Sequence, residues 1–127
     1  MKKIIQTDKA PAPIGPYNQA VWAGNTLYVS GQIALDPATG KLIDESIEAE
    51  TEQVMQNLSA VLREAGLGFG DVVKAPIFVK DMHQFARINA VYGNFFDADT
   101  APARETVEVA NLPKFVNVEI SVIAVRS

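Results

Sequence analysis

The chain has 127 residues and 48% of them are apolar, so it can form one domain with a hydrophobic core. Its 15 acidic and 11 basic residues give a net charge of −4, with no run of more than two basic residues, which argues against a protein that coats nucleic acid. The absence of cysteine excludes disulfides, thiolate metal sites and cysteine nucleophiles, and a single histidine, His83, argues against a zinc site or a Ser–His–Asp triad.

Targeting signals are not apparent. Residues 1–7 contain only two consecutive apolar residues, too few for the core of a signal peptide, and no stretch approaches the roughly 18 apolar residues of a membrane span. We therefore expect a cytoplasmic protein with a single domain over residues 1–127, without a metal or an organic cofactor.

The first third of the chain is predicted to be β-structure. Residues 2–7 are compatible with a short strand, and three prolines make residues 10–16 a rigid, non-helical connector. Residues 20–23 and 26–35 are predicted to form a β-hairpin, because Gly24-Asn25 between them has the composition of a tight turn.

Two helices are predicted next. The hydrophobic period changes to about 3.6, which predicts a helix over residues 46–65 with acidic residues in its first turns and Gly66 as its C-terminal glycine. A second helix is predicted over residues 85–96. The apolar stripe of the first helix contains Ile47, Thr51, Val54, Met55, Leu58, Val61, Leu62 and Ala65.

Three further strands are predicted over residues 72–80, 104–109 and 117–125. Pro76 cannot donate a ladder hydrogen bond, so it predicts an edge strand or a bulge. The order of elements predicts an α+β sandwich in which two helices cover one face of the sheet.

The last strand is apolar on both faces. Val118, Ile120 and Val122 alternate on one face, while Ile123 and Val125 follow Glu119 on the other. A second, partly apolar sheet face predicts burial against another subunit, and the alternative is a set of scattered surface residues.

Two charged residues are candidates for chemistry. Glu119 lies between apolar neighbours, where desolvation would raise its pKa; the alternative is a solvent-facing position on the polar side of the strand. Arg104 lies where a loop enters a strand and could bind a carboxylate in bidentate fashion; the alternative is a surface salt bridge.

Five further residues are weaker candidates. Ser30 and Gly31 interrupt a strand, which indicates a bulge, a close ligand approach or a simple bend. Tyr17 follows a rigid turn and is either a site residue or a loop anchor. Asn89 on the second helix is either a partly buried hydrogen-bonding group or a surface residue. His83 is interpreted as a surface histidine in a turn.

Taken together, these segments resemble the Rid family, the reactive intermediate deaminases, also called the YjgF family. The resemblance covers nearly the whole chain, and it depends on the order and spacing of short motifs that are individually weak. They are Ile14-Gly15-Pro16-Tyr17, Ser30-Gly31-Gln32-Ile33, Ala65-Gly66-Leu67, Phe78-Val79-Lys80-Asp81, Asn89 with Val91-Tyr92, Pro102-Ala103-Arg104, Val107-Glu108-Val109-Ala110 with Leu112-Pro113, and Val118-Glu119-Ile120.

The resemblance implies a chorismate-mutase-like fold with a mixed sheet, assembled as a homotrimer around a central β-barrel with active sites between subunits. It also implies hydrolysis of 2-iminobutanoate and 2-iminopropanoate, or their enamine tautomers released by pyridoxal-phosphate enzymes, to 2-keto acids and ammonia. Nucleic acid and membrane are not among the implied partners.

The resemblance also assigns roles to residues. Arg104 is implied to bind the substrate carboxylate, and Glu119 to position or activate the attacking water. The remaining pocket residues are implied to be Tyr17, Ser30, the Gly31 backbone, Asn89 and the Thr106 backbone amide.

The chemistry of the residues agrees with this activity, because an imine carbon is electrophilic without a metal or a covalent nucleophile. Two alternatives are a non-catalytic regulatory module that binds small carboxylates and a ribonuclease or translation inhibitor. The net charge argues against the latter.

The sequence departs from the family pattern in four places. Glu105 replaces a small residue and could weaken anion binding, although strand alternation should point it away from the Arg104 face. Thr106 replaces a frequent cysteine, Pro76 is unusual, and the loop before Arg104 is about two residues short by comparison with the family pattern.

Overall fold

The computed structural model describes residues 2–127, in which a six-stranded mixed sheet carries two helices on one face. The strand order is β1-β2-β3-β6-β4-β5, with β4 and β5 parallel and the other neighbours antiparallel. This confirms the predicted α+β sandwich. The elements are β1 (Lys2–Ile5), β2 (Ala20–Ala23), β3 (Thr26–Gln32), α1 (Ile47–Glu64), β4 (Val72–Val79), α2 (Phe85–Gly93), β5 (Ala103–Glu108) and β6 (Val118–Val125).

Helix α1 agrees with its prediction at both ends. The Ser46 side chain caps the first turn by accepting a hydrogen bond from the Ala49 amide at 3.0 Å. Gly66 follows the last turn with a φ of 78°, a left-handed conformation that glycine adopts without steric cost. Helix α2 ends at Gly93, three residues before the predicted end. Beyond it, the amides of Phe95 and Phe96 donate to the carbonyls three residues earlier, as in a 3₁₀ turn, so the α-helical hydrogen-bond pattern is not continued.

The core lies between the helices and the face of the sheet that they cover. In β6 the residues Val118, Ile120, Val122 and Ala124 are all buried on this face, which confirms the predicted alternation. The opposite face of the sheet has no helix. We call it the open face, and its apolar side chains Ile4, Tyr28, Val107 and Val125 are exposed.

The prediction for Pro76 is wrong, because β4 lies inside the sheet between β6 and β5 and its bulge falls earlier, between Val72 and Lys74. The Lys80 amide donates to Asn117 O, on the β6 side of β4, so alternation places the nitrogen of Pro76 on the β6 side as well. The ladder between β4 and β6 accordingly has no registered pair at Ala75 and Pro76, whereas the ladder with β5 continues through them.

Across residues 2–127, no helix combines the length and the apolar character required to cross a bilayer.

Candidate active site

The predicted site residues form two groups on opposite faces of the sheet. Glu119 is paired with Phe78 on the open face, and Arg104 is paired with Ala75, which is completely buried beneath the helices. Since β4 also separates the strands that carry them, the two charged side chains of one chain do not share a cleft.

The first group lines a cleft of about 370 Å³ at the end of β3. It brings together Tyr17, Ser30, Gly31 and Glu119, four of the predicted residues, with apolar walls beside them. The complete lining is Pro11, Ala12, Ile14, Tyr17, Gln19, Ser30, Gly31, Gln32, Ile33, Leu35, Pro113 and Glu119.

Gly31 makes room for the Glu119 side chain. The pairing of β3 with β6 shifts register between Val29 and Gln32, so Ser30 and Gly31 form the bulge that was one of the predicted alternatives. A Cβ atom at Gly31 would overlap Glu119 Oε2 and lie 2.8 Å from its Cδ. The absence of a side chain at this position thus allows the carboxylate to lie across the strand.

The Glu119 carboxyl is half-buried, and this burial raises its pKa above the ordinary value of 4.5. Among residues 2–127 no basic side chain forms an ion pair with it. The prediction of a desolvated acid is therefore supported. A carboxyl with a raised pKa is suited to exchange protons with a reacting water.

Hydrogen bonds connect the loop before β2 to the bulge. The Ser30 hydroxyl donates to Asn18 O at 2.6 Å, and the Ser30 amide donates to Gln19 O at 2.9 Å. The Tyr17 hydroxyl accepts a hydrogen bond from the Ile14 amide at 3.4 Å, and the residue is 47% exposed. Tyr17 therefore bonds within its own loop and also lines the cleft, and its role as a site residue stays a prediction.

Gln19 was not recognised from the sequence, although it fixes a wall of the cleft. Its side chain is 2% exposed, accepts a hydrogen bond from the Thr7 amide and donates to the carbonyls of Thr7, Ala10 and Pro11. The buried side-chain amide of Gln19 thus holds the proline-rich connector next to the start of β2. A polar residue directly before the apolar strand was the available signal.

Two buried polar residues of α1 fix other parts of the site. Asn57 donates to the carbonyls of Ile33 and Leu35, which are part of the cleft lining. Glu50 accepts hydrogen bonds from the amide and the side chain of Asn117 at the start of β6. Glu50 is one of the acidic residues in the first turns of α1, and its position three residues after Ile47 places it beside the apolar stripe, where it is buried.

The second group lies at the edge strand β5. The Arg104 guanidinium donates to Asn89 Oδ1 and lies over the rings of Phe85 and Tyr92, 5.3 Å and 5.1 Å from their centroids. Asn89 is therefore a hydrogen-bonding residue and not an unengaged surface residue. The predicted alternative of a surface salt bridge is wrong, because no acidic side chain among residues 2–127 lies within 4.0 Å of Arg104.

Thr106 lies two residues beyond Arg104 on the same strand face. The Val109 amide donates to Val79 O, so alternation points the amides of Arg104 and Thr106 away from β4 and toward the open edge. The Thr106 hydroxyl is buried and lacks a hydrogen-bond partner within the described part of the chain. The edge thus offers a guanidinium and outward backbone donors, a combination suited to a carboxylate.

Glu105 does not compete for Arg104. It is paired with Pro76 on the open face and forms an ion pair with Lys74 at 3.0 Å, so its carboxylate lies on the other side of β5. This confirms the alternation predicted for it.

The prediction that His83 is a surface histidine in a turn is confirmed. It lies in the turn Met82–Gln84, and its side chain is 96% exposed. Within residues 2–127, the structure contains no cluster of three or more His, Cys, Asp or Glu that could hold a metal ion.

The fold defines a class of α+β proteins with many known members. A family model described as Endoribonuclease L-PSP matches residues 7–126. The chain belongs to this family, which is also known as the YjgF or Rid family. The resemblance inferred from the motifs is thereby confirmed.

Individual relatives cover almost the whole chain. A RutC family protein of Synechocystis sp. is 57% identical over 124 residues, or 97% of this chain and 95% of the relative. The 2-iminobutanoate/2-iminopropanoate deaminase of Salmonella typhimurium is 49% identical over 128 residues, or 99% of each chain. The crystal structure of E. coli TdcF with bound serine matches with a TM-score of 0.92 at 44% identity, covering 98% of this chain and 99% of TdcF.

Proposed function

We propose that this protein hydrolyses 2-imino acids such as 2-iminobutanoate and 2-iminopropanoate to 2-keto acids and ammonia. One observation carries the proposal: the chain presents a carboxyl group without a cation at one place and a guanidinium without an acid at another. Burial makes an unpaired carboxylate costly, so Glu119 favours a ligand or partner that compensates it, whereas the exposed Arg104 side chain is available to bind an anion. A 2-imino acid beside a water molecule supplies the complement of both.

In the proposed complex, Arg104 binds the substrate carboxylate, helped by the outward amide of Thr106. Asn89 holds the guanidinium through its side-chain oxygen. A charge-assisted contact of this kind contributes roughly 1.5–3 kcal/mol. Tyr17, Ser30 and the Gly31 backbone line the space around the reacting carbon.

The reaction needs a proton acceptor and a positioned water. Protonation of the imine nitrogen makes its carbon more electrophilic. As the water oxygen bonds to that carbon, Glu119 accepts one water proton, which gives a tetrahedral amino alcohol. Glu119 then returns the proton to the nitrogen, the C–N bond breaks as the C=O bond forms, and ammonia leaves with the hydroxyl proton. A positioned acid–base group typically contributes about 10²–10⁴ in rate.

We call the cleft around Glu119 and the β5 edge around Arg104 the two half-sites, and we propose that they meet between subunits of a homotrimer with a central barrel. Within one chain they lie on opposite faces of the sheet. In the proposed assembly, the Glu119 cleft of one copy therefore faces the β5 edge of another. The open face carries exposed apolar residues on four strands, including Tyr28, Val107 and Val125. Packing of the open faces of neighbouring copies against each other would bring the β5 edge of one copy next to the Glu119 cleft of another.

Two relatives support the substrate class. The Salmonella protein is named as a 2-iminobutanoate/2-iminopropanoate deaminase, and TdcF was crystallised with bound serine, which is a small amino acid with a carboxylate. In the cell, the imines would come from pyridoxal-phosphate enzymes that eliminate from amino acids, such as a threonine dehydratase. We propose a cytoplasmic location for this activity.

A coupled assay tests the proposal. Added to a threonine dehydratase reaction, the protein should accelerate release of 2-ketobutanoate, and Arg104→Ala should lower kcat/KM about 10-fold to 100-fold through the lost carboxylate contact. Arg87→Ala is the matched control, because Arg87 is bound to Glu48 and lies outside both half-sites.

Two results would contradict the proposal. Acceleration by Arg104→Ala equal to that of the wild type would remove Arg104 from the site. Binding of 2-ketobutanoate in calorimetry without any acceleration would instead favour the regulatory module that binds small carboxylates. Light scattering provides a separate test of the assembly, because an active monomer is incompatible with a site shared between subunits.

A further inference from the structure

We propose that Phe85 and Tyr92 are positioning residues for Arg104, and that their rings hold the guanidinium with its free edge directed toward a substrate carboxylate. The inference rests on the proposed function in one respect, namely that Arg104 binds the carboxylate. It adds two residues that touch neither the substrate nor the reacting water.

The geometry of α2 carries the proposal. Phe85, Asn89 and Tyr92 are separated by four and then three residues, so they lie along one face of the helix. Their side chains all contact Arg104: the rings at 5.3 Å and 5.1 Å from Cζ, and the amide oxygen through a hydrogen bond. Both rings lie within the distance of about 6 Å at which cation–π attraction operates.

The charge of Arg104 is preserved by these neutral partners. Arg87 on the same helix provides the contrast, since both Glu48 oxygens accept its hydrogen bonds at 2.7 Å and neutralise it. Aromatic rings and an amide oxygen hold a guanidinium without supplying a negative charge. Arg104 is thus fixed in place while its charge remains available to an anion.

The position of Arg104 explains why such support is needed. It lies on an edge strand whose residues are mostly exposed, and a long arginine side chain there would otherwise sample many rotamers. Ordering those rotamers on binding would weaken the affinity for a small ligand. The two rings reduce this loss before the substrate arrives.

The test measures 2-ketobutanoate binding, which does not require catalysis, together with NMR of the Arg104 side chain. Tyr92→Leu should weaken binding about fivefold to tenfold, because it removes one cation–π contact. Tyr92→Phe is the conservative variant that should restore it, since the Tyr92 hydroxyl has no hydrogen-bond partner among the described residues. Phe85→Leu is a second variant at a less buried position, with an expected loss of about twofold to fivefold.

The NMR measurement is independent of the ligand. Protons above aromatic rings resonate upfield, so the Arg104 Hδ and Hε signals should lie upfield in the wild type and in Tyr92→Phe. They should move to ordinary positions in Tyr92→Leu, with the assignment made by comparison with Arg104→Lys.

The outcomes separate this inference from the proposed function. Unchanged ligand affinity in folded Tyr92→Leu and Phe85→Leu, or Arg104 signals at ordinary positions in the wild type, would overturn the role of the rings. Lack of acceleration by a wild-type protein that binds 2-ketobutanoate through a ring-held Arg104 would overturn the deaminase proposal alone. In kinetics, a rise in KM with kcat retained would support positioning.

Discussion

The cleft around Glu119 and the edge around Arg104 are constructed in opposite ways. The cleft is fixed from inside the chain, because buried side chains of Gln19 and Asn57 hold its walls and the Gly31 bulge accommodates the carboxylate. The edge lies on an exposed strand, and contacts from a single helix hold Arg104. One chain therefore supports the cleft from several buried side chains, whereas it supports the edge from one helix only.

This difference indicates which parts of the site should respond to which changes. Changes in the cleft should alter both the proton-transfer geometry and the stability of the chain, since the cleft is continuous with the core. Changes at the edge should alter ligand affinity with little effect on folding, because exposed edge residues contribute few buried contacts.

Gly31→Ala is expected to have the largest effect on activity. The added Cβ overlaps Glu119 Oε2, so the carboxylate must move from its place across the bulge. We expect kcat to fall toward the level of Glu119→Gln, a loss of about 10²–10⁴ if the acid–base contribution disappears. Steady-state kinetics in the coupled assay measure this.

The matched control is Gly68→Ala, because a Cβ at Gly68 meets nothing within 4 Å. A Gly31→Ala variant with wild-type kcat would show that the position of Glu119 seen here is not the catalytic one.

Asn57→Ala tests the internal support of the cleft. It leaves the carbonyls of Ile33 and Leu35 without their buried donor, and we expect a loss of about 2–4 kcal/mol in the free energy of unfolding. Chemical denaturation measures the loss. Gln56→Ala is the control on the same helix, since Gln56 is bonded only to exposed Glu52, and it should cost less than about 0.5 kcal/mol. Equal losses in the two variants would argue against the role of Asn57.

The raised pKa of Glu119 predicts opposite effects of pH on activity and stability. Because the folded state holds this proton more tightly than the unfolded state, the contribution of Glu119 to stability is present below pH 4.5 and is lost as the pH rises through the raised pKa. In the proposed mechanism Glu119 accepts a proton and must be ionised, so kcat/KM should decrease as the pH falls through the same range.

Glu119→Gln is the reference for both measurements. The unfolding free energy of the wild type minus that of Glu119→Gln should decrease as the pH rises, because only the wild type carries the titrating carboxyl. In the profile of kcat/KM against pH, the fall at low pH should be absent in Glu119→Gln. An acid limb centred at 4.5 would contradict the effect of burial on this carboxyl.

Regular patterns in the sequence predicted most of the fold. The alternation of apolar residues in β6 and the apolar stripe of α1 can be seen within one segment of sequence, because each follows from the burial of one face of that element. Pro76 misled the prediction because the identity of the neighbouring strands is not a local property. Its strand is central, and the missing donor is accommodated by a gap in the ladder with β6.

The site was less predictable because its contacts connect distant parts of the chain. Glu50 is bonded to Asn117, 67 residues away, and Asn57 reaches Ile33, 24 residues away. Periodicity identifies such residues only as polar positions near an apolar stripe. Arg104 and Glu119 were recognised individually, but their placement on opposite faces follows from the register of both strands with β4.

Thr106→Val should have the smallest effect, and it separates the backbone from the side chain at the edge. The proposed contact uses only the amide, and valine retains the shape of threonine while it removes a buried hydroxyl that has no partner among residues 2–127. We expect kcat/KM within about twofold of wild type and a gain of up to about 1 kcal/mol in unfolding free energy.

Thr106→Pro completes the comparison at the same position. An edge strand tolerates proline where the amide points outward, so this variant should fold, lose the donor and raise KM. If Thr106→Val instead lowers kcat/KM as much as Thr106→Pro does, the hydroxyl itself contacts the substrate. Its lack of a partner among residues 2–127 would then be explained by a ligand bound against β5, and the proposed anion site would extend beyond Arg104 along the strand.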